Sequence, residues 1–241
     1  MYDKIDLGPL RIIYGGKKFG NMDFRFDPKD KVSARRKKLE QDFPGLLFIE
    51  IKASGGDTFT DLSKLSGIEN WQTIHGDGII CDDQKTCITL FPADCIPLVI
   101  YSTKSNTRAI IHIGHTGAEM GIHLKALRYL LDEEKQNLDD LRFFIGPSIS
   151  KESYFFKDIH SSQKESENWQ PFISFEDGNF HIDLQGFITS ELCKYGVLQE
   201  NIRDIGIDTF NTDYFSHRRS VITGEREGRN LFILAFSRKQ F

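Results

Sequence analysis

Short apolar runs recur along the chain, broken by glycine, asparagine and aspartate, and they predict the strands of a layered protein. The N-terminal region reads as a strand and a turn, punctuated by Gly15-Gly16 and Gly20. Leu46 to Ile51 is a further strand, and residues 54–66, with a glycine pair and several hydroxyls, read as a loop. From Thr86 the pattern is dense in strands: Cys87 to Phe91, Pro97 to Tyr101, Arg108 to His112 and Leu141 to Ile145. Phe172 to Ile182 predicts a hairpin around Asp177-Gly178, and Leu231 to Phe236 a last strand. Helical spacing marks three segments. Asp30 to Phe43 predicts a surface helix, and Gly117 to Leu131 an amphipathic one through Met120, Leu124, Leu127 and Leu131. Asp183 to Tyr195 predicts a third, ended by Gly196. Strands mixed with long helices imply an α/β or α+β layered sandwich, read as a single domain over residues 1–241.

The bulk numbers narrow the partners. The 31 Lys and Arg against 35 Asp and Glu leave a net charge of -4, which argues against nucleic acid or an anionic membrane as partner. Small anions remain open to local arginine clusters. The first residues carry early charges and do not read as a signal peptide, and no run approaches the length of a membrane span. Cys81, Cys87, Cys95 and Cys193 have no CxxC spacing, so the expectation is free thiols in a reducing cytoplasm.

Candidate chemistry lies between Trp71 and Gly121. His75, Cys95 and His112 each stand at the edge of an apolar run, and successive strands that end at one sheet edge can bring such residues together. Two imidazoles and a thiolate are also the ligand set of an open catalytic zinc site. Two of them have an ordinary reading: His75 as a loop histidine in His-Gly-Asp-Gly and Cys95 as a small buried hydrophobe. His115 and His123 read as polar loop and helix positions. The C-terminal cluster, Ser216-His217-Arg218-Arg219 followed by Arg226 and Arg229, suits phosphate or carboxylate, or internal ion pairs with Glu225 and Glu227.

Five stretches in order resemble the YfiH-like family of multicopper polyphenol oxidase (laccase) domain proteins, which is linked to purine nucleoside phosphorolysis. They are Gln72-Thr73-Ile74-His75-Gly76, Ala93-Asp94-Cys95-Ile96-Pro97, Ile111-His112-Ile113-Gly114, Ile145-Gly146-Pro147-Ser148-Ile149, and Phe215-Ser216-His217-Arg218-Arg219 with Thr223-Gly224. The resemblance implies a four-layer α/β sandwich with His75, Cys95 and His112 as a zinc triad. It places the family's N-terminal arginine on Arg36, so that Arg36, Arg218 and Arg219 would bind substrate. The implied activity is attack of phosphate on the glycosidic bond of a purine nucleoside, accompanied by adenosine deamination through a metal-activated water. Zinc is the implied cofactor ahead of copper, because one cysteine and two histidines cannot hold several coppers. The implied partners are a purine nucleoside and phosphate, in a monomer or homodimer.

The chain departs from the family at several points. His115-Thr116 stands where the family has Trp-Arg, Arg35 precedes Arg36 in place of an asparagine, and Glu152-Ser153-Tyr154-Phe155 replaces Cys-Cys-Tyr-Glu. The threonine motif before the last arginines is reduced to Asp208-Thr209. Two other readings stand beside the first. One is a cysteine hydrolase or deamidase using Cys95 and His112, since the fold implied resembles toxin deamidases. The other is a peptidoglycan-precursor editing factor with little nucleoside activity.

Overall fold

A computed structural model describes residues 1–237. In its first half the strands are β1 (Asp3–Leu7), β2 (Leu10–Gly15), β3 (Leu47–Lys52), β4 (Phe59–Asp61), β5 (Gln72–His75), β6 (Gly78–Cys81), β7 (Thr86–Leu90), β8 (Ile96–Ser102) and β9 (Arg108–Ile113). The second half adds β10 (Leu141–Ile145), β11 (Phe155–Phe156), β12 (Ile173–Glu176), β13 (Asn179–Ile182), β14 (Ile202–Asp204) and β15 (Leu231–Phe236). The α-helices are α1 (Lys29–Asp42), α2 (His115–Glu119), α3 (Ile122–Asp132), α4 (Ser161–Lys164), α5 (Leu184–Tyr195) and α6 (His217–Thr223).

Two six-stranded mixed sheets carry the fold. One runs β1-β2-β15-β7-β3-β5 and the other β14-β10-β8-β9-β6-β4, with β11-β13-β12 as a small third sheet. The facing sides of the two large sheets bury Ile12, Ile49, Leu90 and Leu234 against Ile79, Val99, Ile110 and Phe144. The outer side of the second sheet packs on α3 and α5 through Leu98, Ile111, Leu127 and Ile188. The outer side of the first covers Leu39 of α1 with Ile13, Phe48 and Ile233. That is the four-layer α/β/β/α order the resemblance implies. Each fully buried Leu, Ile or Phe stabilises the stack by roughly 1.5–3 kcal/mol relative to exposure.

Because β8, β9 and β6 are covered on both faces, they read as continuous apolar runs instead of alternating ones. Arg108 is fully buried at the far end of β9, where its guanidinium donates to the carbonyls of Thr86 (2.6 Å) and Asp83 (2.7 Å).

The helix predicted over 117–131 is two helices. The chain turns at Gly121, whose φ of 69° lies in the left-handed region that a side chain resists, and α3 restarts at Ile122. Its companion, α5, begins as predicted: the Asp183 carboxylate accepts from the Gly186 amide at 2.7 Å. The region read as a loop over 54–66 contains β4, a parallel partner of β6.

Candidate active site

The site is built from the ends of three neighbouring strands of the second sheet. In the β8–β9 ladder Pro97 lies opposite His112 and Ile96 opposite Ile113, which carries Cys95 to the level of Gly114. In the β6–β9 ladder Gly78 lies opposite Ile111, so Asp77 arrives beside His112. The His112 amide donates to the Asp77 carbonyl at 2.7 Å, and its ring Nδ1 lies 2.9 Å from Asp77 Oδ1. A carboxylate only accepts, so Nδ1 carries the proton and the ring's other nitrogen is left free of Asp77, with the Cys95 thiol close enough to act on the charge of the imidazole.

The carboxylate is fixed from its far side. Ser54 Oγ donates to Asp77 Oδ2 at 2.6 Å, the Gly55 amide to Oδ1 at 2.8 Å and the Gly56 amide to Oδ2 at 2.8 Å. Asp77 is fully buried, which would raise its pKa, yet His112, Ser54 and these amides hold it far below the usual carboxylate range. Burial likewise opposes protonation of His112, but Cys95 and the Asp77 hydrogen bond outweigh it and raise the imidazole pKa to about 10.

Two backbone features hold the thiol. Asp94, just before it, has φ 80°, a conformation that aspartate tolerates and that is overdetermined here. Its carboxylate accepts from Thr209 Oγ1 (2.7 Å) and the Arg218 amide (2.6 Å), and its carbonyl from the Ile149 amide (2.9 Å). Gly114 is the second: a Cβ there would sit 3.2 Å from Cys95 Sγ and 3.9 Å from His112 Cε1.

A cavity of about 330 Å³ opens on the Cys95–His112 pair, within the range of small-molecule sites. Its wall comes from the end of β3 (Glu50, Lys52, Ala53, Ser54), from Asp23 and Arg25, and from His217 and Arg229 near the C-terminus. Asp23 receives Arg25 Nη2 at 2.7 Å and Lys52 Nζ at 3.4 Å. Burial raises the Asp23 pKa, but Arg25 and Lys52 pull it down to about 2. Glu227 holds His217 at 2.9 Å and Arg229 at 2.8 Å.

The residues expected from the sequence divide. Cys95 and His112 meet, as expected. His75 does not join them: it ends β5, the edge strand of the first sheet, opposite Lys52, is exposed, and is absent from the cavity wall. Among the described residues no three His, Cys, Asp or Glu side chains are grouped to hold a metal ion. Past the end of β3 the cavity wall continues through Ala53, Ser54 and Gly55, and the one hydroxyl among them is spent on Asp77. The donor set therefore offers one thiol and one imidazole, short of the three protein ligands of an open zinc site.

The arginines divide too. Arg36 is buried behind the cavity, where Nη2 holds Glu50 Oε2 at 2.7 Å and the guanidinium lies 4.6 Å from the Trp71 ring centre and 4.7 Å from that of Phe24. It therefore acts on the cavity through Glu50. Arg219 is committed to its own loop, with Nε on Glu225 (2.6 Å) and Nη1 on the Thr209 carbonyl (3.1 Å). Arg218 lies 4.3 Å from the Phe156 ring centre, with a buried Nε that has no hydrogen-bond partner. Neither Arg218 nor Arg219 lines the cavity.

The functional candidates that the sequence left unseen are Asp77, Glu50, Lys52, Arg25 and Asp23. Asp77 had a signal, since it stands in the same His-Gly-Asp-Gly run as His75. The others carry none above ordinary surface charge.

Comparison with known proteins follows the same lines. The family described as multi-copper polyphenol oxidoreductase laccase matches residues 17–236. A purine nucleoside phosphorylase of Mycobacterium bovis is 24% identical over 157 residues, 61% of this chain and 58% of that protein. One from Bacteroides thetaiotaomicron is 28% identical over 178 residues, 71% of this chain and 65% of that one. The chain thus spans less than two thirds of the length of these curated relatives. The fold is similar to that of Bacillus licheniformis YfiH (TM-score 0.81, 20% identity, covering 95% of this chain and 93% of that one). It is also similar to YlmD of Geobacillus stearothermophilus (TM-score 0.78, 20% identity, 94% and 91%).

Proposed function

The chain belongs to the multi-copper polyphenol oxidoreductase laccase family, and from that premise we propose that it is an enzyme that joins a purine nucleoside to inorganic phosphate. The reading is supported by relatives named purine nucleoside phosphorylase and by one observation above all: a cavity that sets Lys52, Arg25 and Arg229 against Glu50 beside the Cys95–His112 pair. Cationic side chains are suited to a phosphate, and a carboxylate fixed by Arg36 is suited to accept hydrogen bonds from a pair of ribose hydroxyls. With both substrates held, a phosphate oxygen bonds to C1′ as the C1′–N9 bond breaks, and the purine departs with a proton. The residues contribute by alignment and by charge placed where it develops.

No step is routed through zinc. The resemblance implies it, but the third ligand is not gathered, and adenosine deamination by a metal-activated water falls with it in this reading. No helix among the described residues is long and apolar enough to cross a membrane.

Phosphate-dependent release of hypoxanthine from inosine, and of adenine from adenosine, tests the reading. Lys52→Ala is expected to raise the KM for phosphate about tenfold while changing kcat little, the loss of one charge-assisted contact. Folded protein that turns over neither nucleoside, or that binds a sugar-nucleotide peptide in their place, would replace the reading.

A further inference from the structure

Phosphorolysis leaves one demand that the cations of the cavity do not meet: the departing purine must receive a proton. As the C1′–N9 bond breaks, its electron pair spreads over the imidazole ring of the base. A proton delivered to N7 turns a poor anionic leaving group into a neutral one. Outside the Cys95–His112 pair, most ionisable groups of the wall are unsuited to deliver it. Arg25 and Arg229 do not give up protons. Burial favours the neutral acid at Asp23, but Arg25 and Lys52 keep it ionised. Lys52 is paired with Asp23 at 3.4 Å, and Glu50 is held by Arg36. That leaves His217, whose imidazole is the kind of group that exchanges protons near neutral pH.

His217 is the first residue of α6 and stands on a loop that is closed at its neck. The Asn230 side chain accepts from the Phe215 amide and donates to the Phe215 carbonyl, both at 2.8 Å, and the Asn230 amide donates to the Pro92 carbonyl at 2.9 Å. Gly228 approaches the Phe215 ring so closely that a Cβ there would lie 2.5 Å from it. Asp94 takes the Arg218 amide at 2.6 Å, which fixes the start of α6 against the strand end that carries Cys95. Across this closed loop His217 Nδ1 meets Glu227 Oε1 at 2.9 Å. Burial would raise the Glu227 pKa, but Arg229 and His217 hold it below the usual carboxylate range. An ionised carboxylate only accepts, so Nδ1 carries a proton and Nε2 is the nitrogen free to trade one. The side chain is 58% exposed where it meets the cavity, open to both ligand and water.

We propose that His217 is the general acid of the phosphorolysis, giving its Nε2 proton to N7 of the departing purine, with Glu227 as the positioning residue. The inference rests on the nucleoside reading above and adds to it a residue that selects for purines, since a pyrimidine has no N7. A phosphate oxygen bonds to C1′, the electron pair of the C1′–N9 bond passes to the base, and the Nε2 proton moves to N7. The hydroxyl proton of the new phosphate ester returns to Nε2 through water. The net transfer is one proton from phosphate to purine, and nothing is oxidised or reduced. Glu227 stabilises the imidazolium before the step and keeps Nε2 turned away from itself throughout.

The test compares two substrates of the full-length protein, inosine and 7-methylinosine, by the ribose 1-phosphate formed. The methylated base already carries a positive charge on its imidazole ring and departs neutral with no proton from the enzyme. His217→Gln should lower kcat on inosine by about 100-fold and on 7-methylinosine by no more than about threefold. Glu227→Gln should show an intermediate loss on inosine and the same indifference on 7-methylinosine, a split that a merely structural role would not produce. If His217→Gln does not fold, His217→Asn carries the comparison. If the wild-type cavity rejects the methyl group, p-nitrophenyl riboside, whose phenolate also leaves without a proton, replaces 7-methylinosine. Equal losses on both substrates, or a His217→Gln protein as active on inosine as wild type, overturns the inference and leaves the nucleoside reading standing. Wild-type protein that phosphorolyses no nucleoside overturns that reading, and the inference with it.

Discussion

The ends of β8, β9 and β6 and the end of β5 look alike in the sequence, each a short strand bordered by a cysteine, histidine or aspartate, yet they meet opposite fates. The first three strands are neighbours in one sheet, and their terminal residues are brought together by the ladder itself. The fourth lies at the edge of the other sheet, and its terminal His75 is exposed. His75 and Asp77 are two residues apart, but the chain crosses from one sheet to the other between them. Adjacency in strand order, more than motif spacing, decides which side chains share a site.

The largest effect expected from this contrast is in a pair of variants. Cys95→Ala should lower nucleoside turnover by about 100-fold, since the space left at Sγ lets the cavity wall shift by about 1 Å. His75→Ala, measured in parallel, should stay within about twofold, as surface changes do. Equal losses in both would erase the distinction between centre and edge.

A smaller effect comes from shape. Gly114→Val would push a branched side chain against Sγ and His112 from a Cβ only 3.2 Å from the sulfur. It should lower turnover by about 100-fold, as a displacement of about 1 Å does, with the melting temperature little changed. Unchanged turnover would mean that the thiol does not need its present position.

The same contrast separates two buried histidines. His112 is held by the Asp77 carboxylate at Nδ1; His123, on α3, is buried against Phe187 with neither nitrogen hydrogen-bonded. Burial alone lowers the His123 pKa to about 4. An unfolded histidine titrates near 6.5, so the unfolded chain binds more protons between these values. Stability from this group is therefore full above about pH 6.5 and lost as pH falls toward 4, by on the order of 3 kcal/mol. His123→Leu should flatten the acid limb of a denaturant-midpoint profile between pH 6.5 and 4 and leave activity alone. An unchanged acid limb would assign the acid sensitivity elsewhere.

The pattern of apolar runs was enough to read the layers, because β8, β9, β10 and β15 are buried on both faces and carry unbroken apolar stretches. The short edge strands β4, β5 and β14 were not legible: three or four residues have little to alternate. Cys95 and His112 were legible because each borders such a buried run, Cys95 just before β8 and His112 near the end of β9. Their third partner was not, since whether the group beside them is His75 or Asp77 depends on which sheet the strand joins, and single-chain periodicity does not encode that. The role of Arg36 was half legible: it was expected as a substrate contact, and it stands next to the cavity, but its guanidinium holds Glu50. Arg219 has the composition of an anion-binding residue, yet it is consumed by the carbonyls of its own loop.

Anomalous diffraction at the zinc edge, from crystals grown with stoichiometric zinc, reaches the centre of the account most directly. It predicts that no anomalous peak is coordinated jointly by His75, Cys95 and His112, and that Cys95 Sγ stays against a His112 ring still bonded to Asp77. A zinc peak bound to those three side chains, with the end of β5 drawn in toward the cavity, would contradict it.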